Sequence, residues 1–278
     1  FATNSIVMTY ANAYGRFSVA DNVCGFSFAN TDATGNVIAQ VLASQASIFS
    51  TGNGVPPTTG VNVVFNDSLG GAKLDLLSTS PSTAAPDYAL DGAICHRNLV
   101  EGRNIVTGAA LTGAAKEASD RVRAGIADVE LTARLKDTPA IIVQGRADTL
   151  IPINHASRAY YAKSQSTAKG ATNVRYVEVT NAQHFDAFLP GGAVFGGYEQ
   201  RFVPLHVYFI RAMDAMYGHL TSGTPLPPSQ VVHTIPRCGP PYPCVAPAIT
   251  ATNVPPIASN PPAADRIEFV NDTLHIPN

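Results

Sequence analysis

Asp148 and His184 are the two residues of this sequence whose types and surroundings most readily combine into chemistry. Asp148 closes the turn Gly145-Arg146-Ala147-Asp148, and His184 closes Asn181-Ala182-Gln183-His184. A carboxylate bonded to an imidazole fixes the ring's tautomer and stabilises the imidazolium that forms when it takes a proton, so such a pair can serve as the base that activates a hydroxyl nucleophile. Each residue alone also fits a plainer role. Asp148 could bond the amides of its own loop and help start a helix near Pro152, and His184 could be a packed histidine beside Phe185 and Phe188. The elements that carry them favour the pairing.

Ala140-Ile141-Ile142-Val143-Gln144 is a short continuous apolar run with β-branched residues, the pattern of a strand buried on both faces of a parallel sheet. The Asp148 turn follows it, Pro152 suits a first helical turn, and a helix through Ala156, Ala159, Tyr160 and Ala162 leads to a polar loop ending at Asn173. Val174-Arg175-Tyr176-Val177-Glu178-Val179 is the second strand, and its end delivers His184. After the Gly191-Gly192 and Gly196-Gly197 breakers, Glu199 to His219 reads as one long amphipathic helix with Phe202, Leu205, Phe209, Met213 and Met216 on one side. A right-handed crossover makes both loops leave the C-terminal edge of the sheet, where open α/β sheets bind ligands. The acid followed by the histidine is the order of an α/β-hydrolase. The expected fold class is therefore α/β: the C-terminal part of an α/β-hydrolase-type parallel sheet, preceded by an irregular cap.

That class presents its nucleophile on a sharp strand-to-helix turn, usually Gly-x-Ser-x-Gly. The nearest match is Gly25-Phe26-Ser27-Phe28-Ala29, but what precedes it is a poor central strand and Asn30-Thr31-Asp32-Ala33-Thr34-Gly35 is a poor helix start. Ser27 is accordingly placed in the cap, and the nucleophile and oxyanion-hole donors are expected upstream of Phe1. The other histidines, His96, His155, His206, His219, His233 and His275, form no metal motif, so neither a metal nor a cofactor is expected.

The 278 residues are 45% hydrophobic and long enough for one large domain or two small ones. Only 14% are charged, with 18 basic against 20 acidic, which points to no nucleic-acid partner. The longest apolar runs are too short or too polar for a spanning helix. Low charge, 22 Gly and 21 Pro resemble exported bacterial proteins. Four cysteines suit two disulfides, Cys238 to Cys244 around the loop Gly239-Pro240-Pro241-Tyr242-Pro243 and Cys24 to Cys95, and hence an oxidising compartment; four free thiols are the alternative. The expected organisation is a cap or lid at 1–105, rich in breakers such as 50–57 and 78–83, core at 106–232 and a Pro-rich tail at 233–278. A helix is expected between Thr112 and Leu135, with Gly125 as a weak point and Asp137-Thr138-Pro139 as its stop.

Several stretches resemble the bacterial extracellular 3-hydroxybutyrate-oligomer hydrolases: Tyr10-Ala11-Asn12-Ala13-Tyr14-Gly15-Arg16, Cys24-Gly25-Phe26-Ser27, Leu90-Asp91-Gly92-Ala93-Ile94-Cys95, the Gly145-to-Asp148 turn, Gln183-His184-Phe185-Asp186-Ala187-Phe188, and the run from Leu220 to Val232. The resemblance implies a secreted enzyme that cuts short chains of (R)-3-hydroxybutyrate into monomers, with its serine in a region this chain lacks. Its partners would be the small ester substrate and the N-terminal segment of the same enzyme. Two other readings stay open on the residues: a tannase-like or feruloyl esterase using the same acid and histidine, and a non-catalytic accessory or binding protein.

Overall fold

The structure is a computed structural model and describes residues 3–39, 41–44, 46, 61–169, 172–190, 195–241 and 244–278. The breaker cluster 50–57, the Gly191-Gly192 pair and Tyr242-Pro243 lie outside the described residues. The chain divides into two units, Phe1–Glu130 and Leu131–Asn278.

In the first unit, helices α1 (Thr3–Gly15), α2 (Leu90–Glu101) and α3 (Gly113–Val129) pack together. Gly125 is not a weak point of α3. A Cβ there would stand 2.1 Å from the Tyr14 carbonyl oxygen, so its bare backbone is what lets α3 lie against α1. Beside the helices, β1 (Phe26–Thr31), β2 (Val37–Ile38), β3 (Val61–Phe65) and β4 (Lys73–Leu74) form an antiparallel sheet in the order β2-β1-β3-β4. Phe26 pairs with Phe65 and Phe28 with Val63, and these side chains meet Met8 and Ala89 in one apolar cluster. The stretch expected to be an irregular cap thus contains regular elements. Ser27, Asn30 and Thr31, which make it read as loop, occupy the less buried positions of a short strand. A Cys24–Cys95 disulfide ties the start of β1 to α2.

The second unit is a parallel sheet covered on both faces. Strands β5 (Ala140–Gly145), β6 (Val174–Val179) and β7 (Gln230–Val232) lie in the order β5-β6-β7, with Ala140 opposite Val174 and Gly145 opposite Val179. Central β6 is buried on both sides. Its Val177 and Val179 join Val203 and Tyr208 on one face, while Val174 and Tyr176 join Tyr161 and Ile267 on the other. Helix α4 (Ser157–Thr167) makes the β5-to-β6 crossover and supplies Tyr161. β5 is not the strand buried on both faces that its apolar run predicts: it lies at the edge of the sheet, and its first four residues are only half-buried.

The single helix expected from Glu199 to His219 is broken into α5 (Tyr198–Arg201) and α6 (His206–Ser222). Pro204 explains the break, because it offers no N–H to a helical ladder and drives the preceding residue to extended backbone. The buried face of α6 is carried by Tyr208 and Ala212, whereas Phe209 and Met213 of the expected apolar stripe are 52% and 57% exposed. After β7 the chain wraps back over the sheet, placing Val254 and Ile267 in its two cores, and ends in the hairpin β8 (Glu268–Val270) and β9 (Thr273–His275).

Candidate active site

The ends of β5 and β6 are stitched together before either functional side chain appears. Arg146 donates its backbone N–H to the Val179 carbonyl at 2.7 Å, and Ala147 donates to that of Ala182 at 3.1 Å. Gly145 makes this approach possible, since a Cβ there would stand 2.3 Å from the Ala182 oxygen. Asn181, at φ 53°, turns the chain through the left-handed region that asparagine tolerates, anchored by its side-chain amide on the Thr234 carbonyl at 2.9 Å.

Against that frame Asp148 and His184 meet. Asp148 Oδ2 lies 3.0 Å from His184 Nδ1. The other carboxylate oxygen, Oδ1, accepts the backbone N–H groups of Leu150 at 3.0 Å and Ile151 at 2.8 Å. The loop-anchoring role and the histidine-orienting role therefore coexist, one on each oxygen. Asp148 is buried at 8% exposure, while the His184 side chain remains 34% exposed. With Nδ1 directed at the carboxylate, Nε2 is the nitrogen left to receive a proton, and it has no partner among the described residues. Gln183 Oε1 accepts from the Thr149 N–H at 3.4 Å, a further link between the two loops.

Three supporting features are not evident from the residues' order alone. Beneath the acid turn, Glu178 is fully buried on β6 and bonded by Arg146, by Arg158 at 2.6 Å and by the Tyr176 hydroxyl at 2.8 Å. Burial pushes its pKa up, but bonds from Arg158, Tyr176 and Arg146 outweigh that and hold the carboxyl below its usual range. Its charge in an apolar strand was the available signal. Past His184, the Asp186 carboxylate accepts the N–H groups of Leu205 at 2.9 Å and His206 at 2.6 Å, fixing the start of α6. Phe185 meets the His184 ring edge-on at 4.5 Å and leads into a run of touching rings, Phe188, Phe195, Tyr198 and Phe202. The crowding of aromatics after His184 was its signal. Beside the histidine a cavity of about 380 Å³ is walled by Val143, Leu205, His206 and Phe209.

Ser27 sits within antiparallel β1, its hydroxyl accepting from Asn66 at 2.9 Å, and so is on no strand-to-helix elbow. Other histidines have local partners: His219 Nδ1 lies 2.9 Å from the Thr224 carbonyl, and His233 3.4 Å from Asp265. His96 is buried against Phe26, where loss of solvation lowers its pKa to about 4. No group of three or more potential metal ligands occurs among the described residues. Cys238 and Cys244 are disulfide-bonded, like Cys24 and Cys95. No helix among the described residues is long and apolar enough to cross a membrane.

Comparison with known proteins adds to this geometry. The family model described as 3HB-oligomer hydrolase matches residues 1–278. A protein of Azoarcus sp. (strain BH72) named D-(-)-3-hydroxybutyrate oligomer hydrolase is 49% identical over 278 residues, covering 100% of this chain and 38% of that protein. Proteins of the same name from Polaromonas naphthalenivorans and Paracidovorax citrulli are 48% and 46% identical, over 99% of this chain and 37% and 36% of their own lengths. The chain thus spans just over a third of the curated relatives it matches. No solved structure gives a significant match.

Proposed function

Because this chain belongs to the 3HB-oligomer hydrolase family, we propose that it supplies the acid and the base of a serine-type hydrolase that cuts 3-hydroxybutyrate oligomers into monomers. The observation that carries the proposal is the 3.0 Å Asp148–His184 contact at the C-terminal edge of a parallel sheet, with Nε2 of the ring unpartnered among the described residues. In this reading the chain is the C-terminal part of an α/β-hydrolase, with a lid over 1–105, core over 106–232 and a tail over 233–278. The serine and the oxyanion donors come from another part of the longer protein. The half-buried edge strand β5 and the exposed Phe209 and Met213 of α6 support such a neighbour, since a lone parallel edge and an apolar helix face both favour being covered.

The chemistry is acyl transfer in two steps. Nε2 of His184 takes the serine proton as the serine oxygen adds to the ester carbonyl, and the same proton is delivered to the departing alcohol when the acyl–oxygen bond breaks. His184 then takes a proton from water, whose oxygen attacks the acyl-serine, and returns it to the serine as the carboxylic acid leaves. Asp148 keeps Nδ1 protonated and the ring in register throughout. The aromatic run beginning at Phe185 offers apolar surface to the methyl groups of an oligomer. Two disulfides agree with an exported protein.

The test is a parallel hydrolysis assay of the full-length protein on 3-hydroxybutyrate trimer and on galloyl and feruloyl esters. The proposal requires preference for the trimer; preference for an aromatic ester contradicts it. Residues 1–278 expressed alone should release no monomer and take no fluorophosphonate label, and labelling at Ser27 with turnover would refute the placement of the nucleophile.

A further inference from the structure

At the opposite end of the parallel sheet, where β6 and β7 begin, the second unit carries another cavity, open to solvent, of about 360 Å³. Two guanidinium groups face it, Arg175 from β6 and Arg266 from the segment before β8. Both are held by neutral oxygens. Arg175 Nη1 donates to the Thr172 and Val174 carbonyls at 3.1 Å, and Arg266 donates through Nε to the Pro261 carbonyl at 3.1 Å and through Nη2 to Asn260 Oδ1 at 3.0 Å. Neither forms an ion pair among the described residues; Arg175 is half-buried and Arg266 exposed, each oriented by its carbonyl bonds, with Nη2 of Arg175 and Nη1 of Arg266 undonated.

Gln165 of α4 also lines this cavity. It is 6% exposed, yet its amide has no hydrogen-bond partner among the described residues. That amide is not one of the enclosed polar atoms left without a partner, so it meets the solvent of the cavity and can bond what enters it. Leu226, Pro228 and Ile267 give the cavity an apolar side. Glu268, on exposed β8, also lines it and leaves two positive charges against one negative.

We infer that this cavity is a binding site for a small aliphatic hydroxycarboxylate. A guanidinium pairs with a planar carboxylate by parallel N–H donors, the Gln165 amide matches a hydroxyl that both donates and accepts, and the apolar side takes a short hydrocarbon. Inorganic phosphate would use the charges and leave the apolar side unused. That the ligand is 3-hydroxybutyrate itself rests on the ester-hydrolase reading above, which makes this a site for released product on the sheet edge away from Asp148 and His184.

Calorimetric titration of the full-length protein carrying His184→Ala, with sodium (R)-3-hydroxybutyrate, sodium butyrate and inorganic phosphate, tests the inference without turnover. Saturable binding of 3-hydroxybutyrate is expected, tighter than either other anion. Arg266→Gln should weaken it by about tenfold or more, the loss of one charge-assisted hydrogen bond. Gln165→Leu should remove the preference over butyrate, and Glu268→Gln should tighten binding by relieving repulsion. Arg266 and Glu268 are exposed, so these two variants should melt like the parent, and matched melts are a condition of the comparison. Absence of saturable binding, an unchanged affinity in Arg266→Gln, stronger phosphate binding, or weaker binding in Glu268→Gln overturns the inference. Hydrolysis by the same protein with His184 restored is read separately. Binding without hydrolysis leaves this site standing and removes the active-site reading, and hydrolysis without binding does the reverse.

Discussion

Gly145→Ala places a single methyl group between the acid loop and the histidine loop. The new Cβ would start 2.3 Å from the Ala182 oxygen and 2.6 Å from its carbonyl carbon, whereas ordinary contact begins near 3.4 Å, so the two backbones must part by about 1.1 Å. They cannot do so cheaply, because the Ala147-to-Ala182 bond at 3.1 Å and the Arg146-to-Val179 bond at 2.7 Å hold the same two segments together. Overpacking of this kind costs roughly 1–3 kcal/mol of stability. A displacement near 1 Å in catalytic geometry costs roughly 100-fold in rate. It acts here on an Asp148–His184 contact of 3.0 Å that has no slack before the hydrogen bond is lost. The assay is kcat for trimer hydrolysis by the full-length protein, alongside urea unfolding. Gly218→Ala is the control: it lies within α6, its Cβ would meet nothing nearer than Thr224 at 3.8 Å, and it should keep full activity. It should also gain about 0.5–1 kcal/mol of stability from its helix-interior position. A Gly145→Ala protein that turns over like wild type would refute the idea that this close approach sets the geometry of the pair.

Other perturbations give distinct readouts. Replacing both Cys24 and Cys95 by Ser opens a loop with a sequence separation of 71 and should cost about 4 kcal/mol in urea unfolding, against about 2 kcal/mol for the Cys238–Cys244 loop with a separation of 6. His96, buried with its pKa down at about 4, makes the unfolded chain the better proton binder between that value and the ordinary 6.5. Stability should be fully present above pH 6.5 and lost as the pH falls to about 4, by roughly 3 kcal/mol, a slope that His96→Phe should remove in pH-resolved melts. Glu178→Leu leaves the Arg146 and Arg158 charges facing an apolar strand and should cost roughly 3–5 kcal/mol. In the parent, protonating this depressed carboxylate should remove stability as the pH falls from its ordinary value near 4.5 through its lower folded value.

The sheet edge was legible because local patterns there agree with the tertiary result. Apolar β-branched runs at Ala140–Gly145 and Val174–Val179 became neighbouring parallel strands, and the loops behind them brought Asp148 to His184. Elsewhere the pattern misleads where one residue's role depends on what it touches. Gly125 reads as a helix defect until Tyr14 is found against it, and Ser27, Asn30 and Thr31 read as loop until β3 pairs with them. The Phe209 and Met213 stripe has helical spacing, yet Tyr208 and Ala212 face the sheet, and only the register set by Pro204 and the Asp186 bonds to Leu205 and His206 decides between them. Glu178 shows the limit most directly. Its charge in an apolar strand signals a buried partner, but Arg146 and Arg158 come from separate segments to neutralise it, and nothing at positions 174–179 says which residues those are.

The proposal that His184 is the catalytic base is tested most directly by trimer hydrolysis in the full-length protein bearing His184→Ala, with Asp148→Asn beside it and near-ultraviolet circular dichroism to verify the fold. The geometry predicts a fall in kcat of about 10⁶-fold for His184→Ala and about 10⁴-fold for Asp148→Asn, both with native spectra. A folded His184→Ala enzyme that releases monomer at close to the wild-type rate would contradict it.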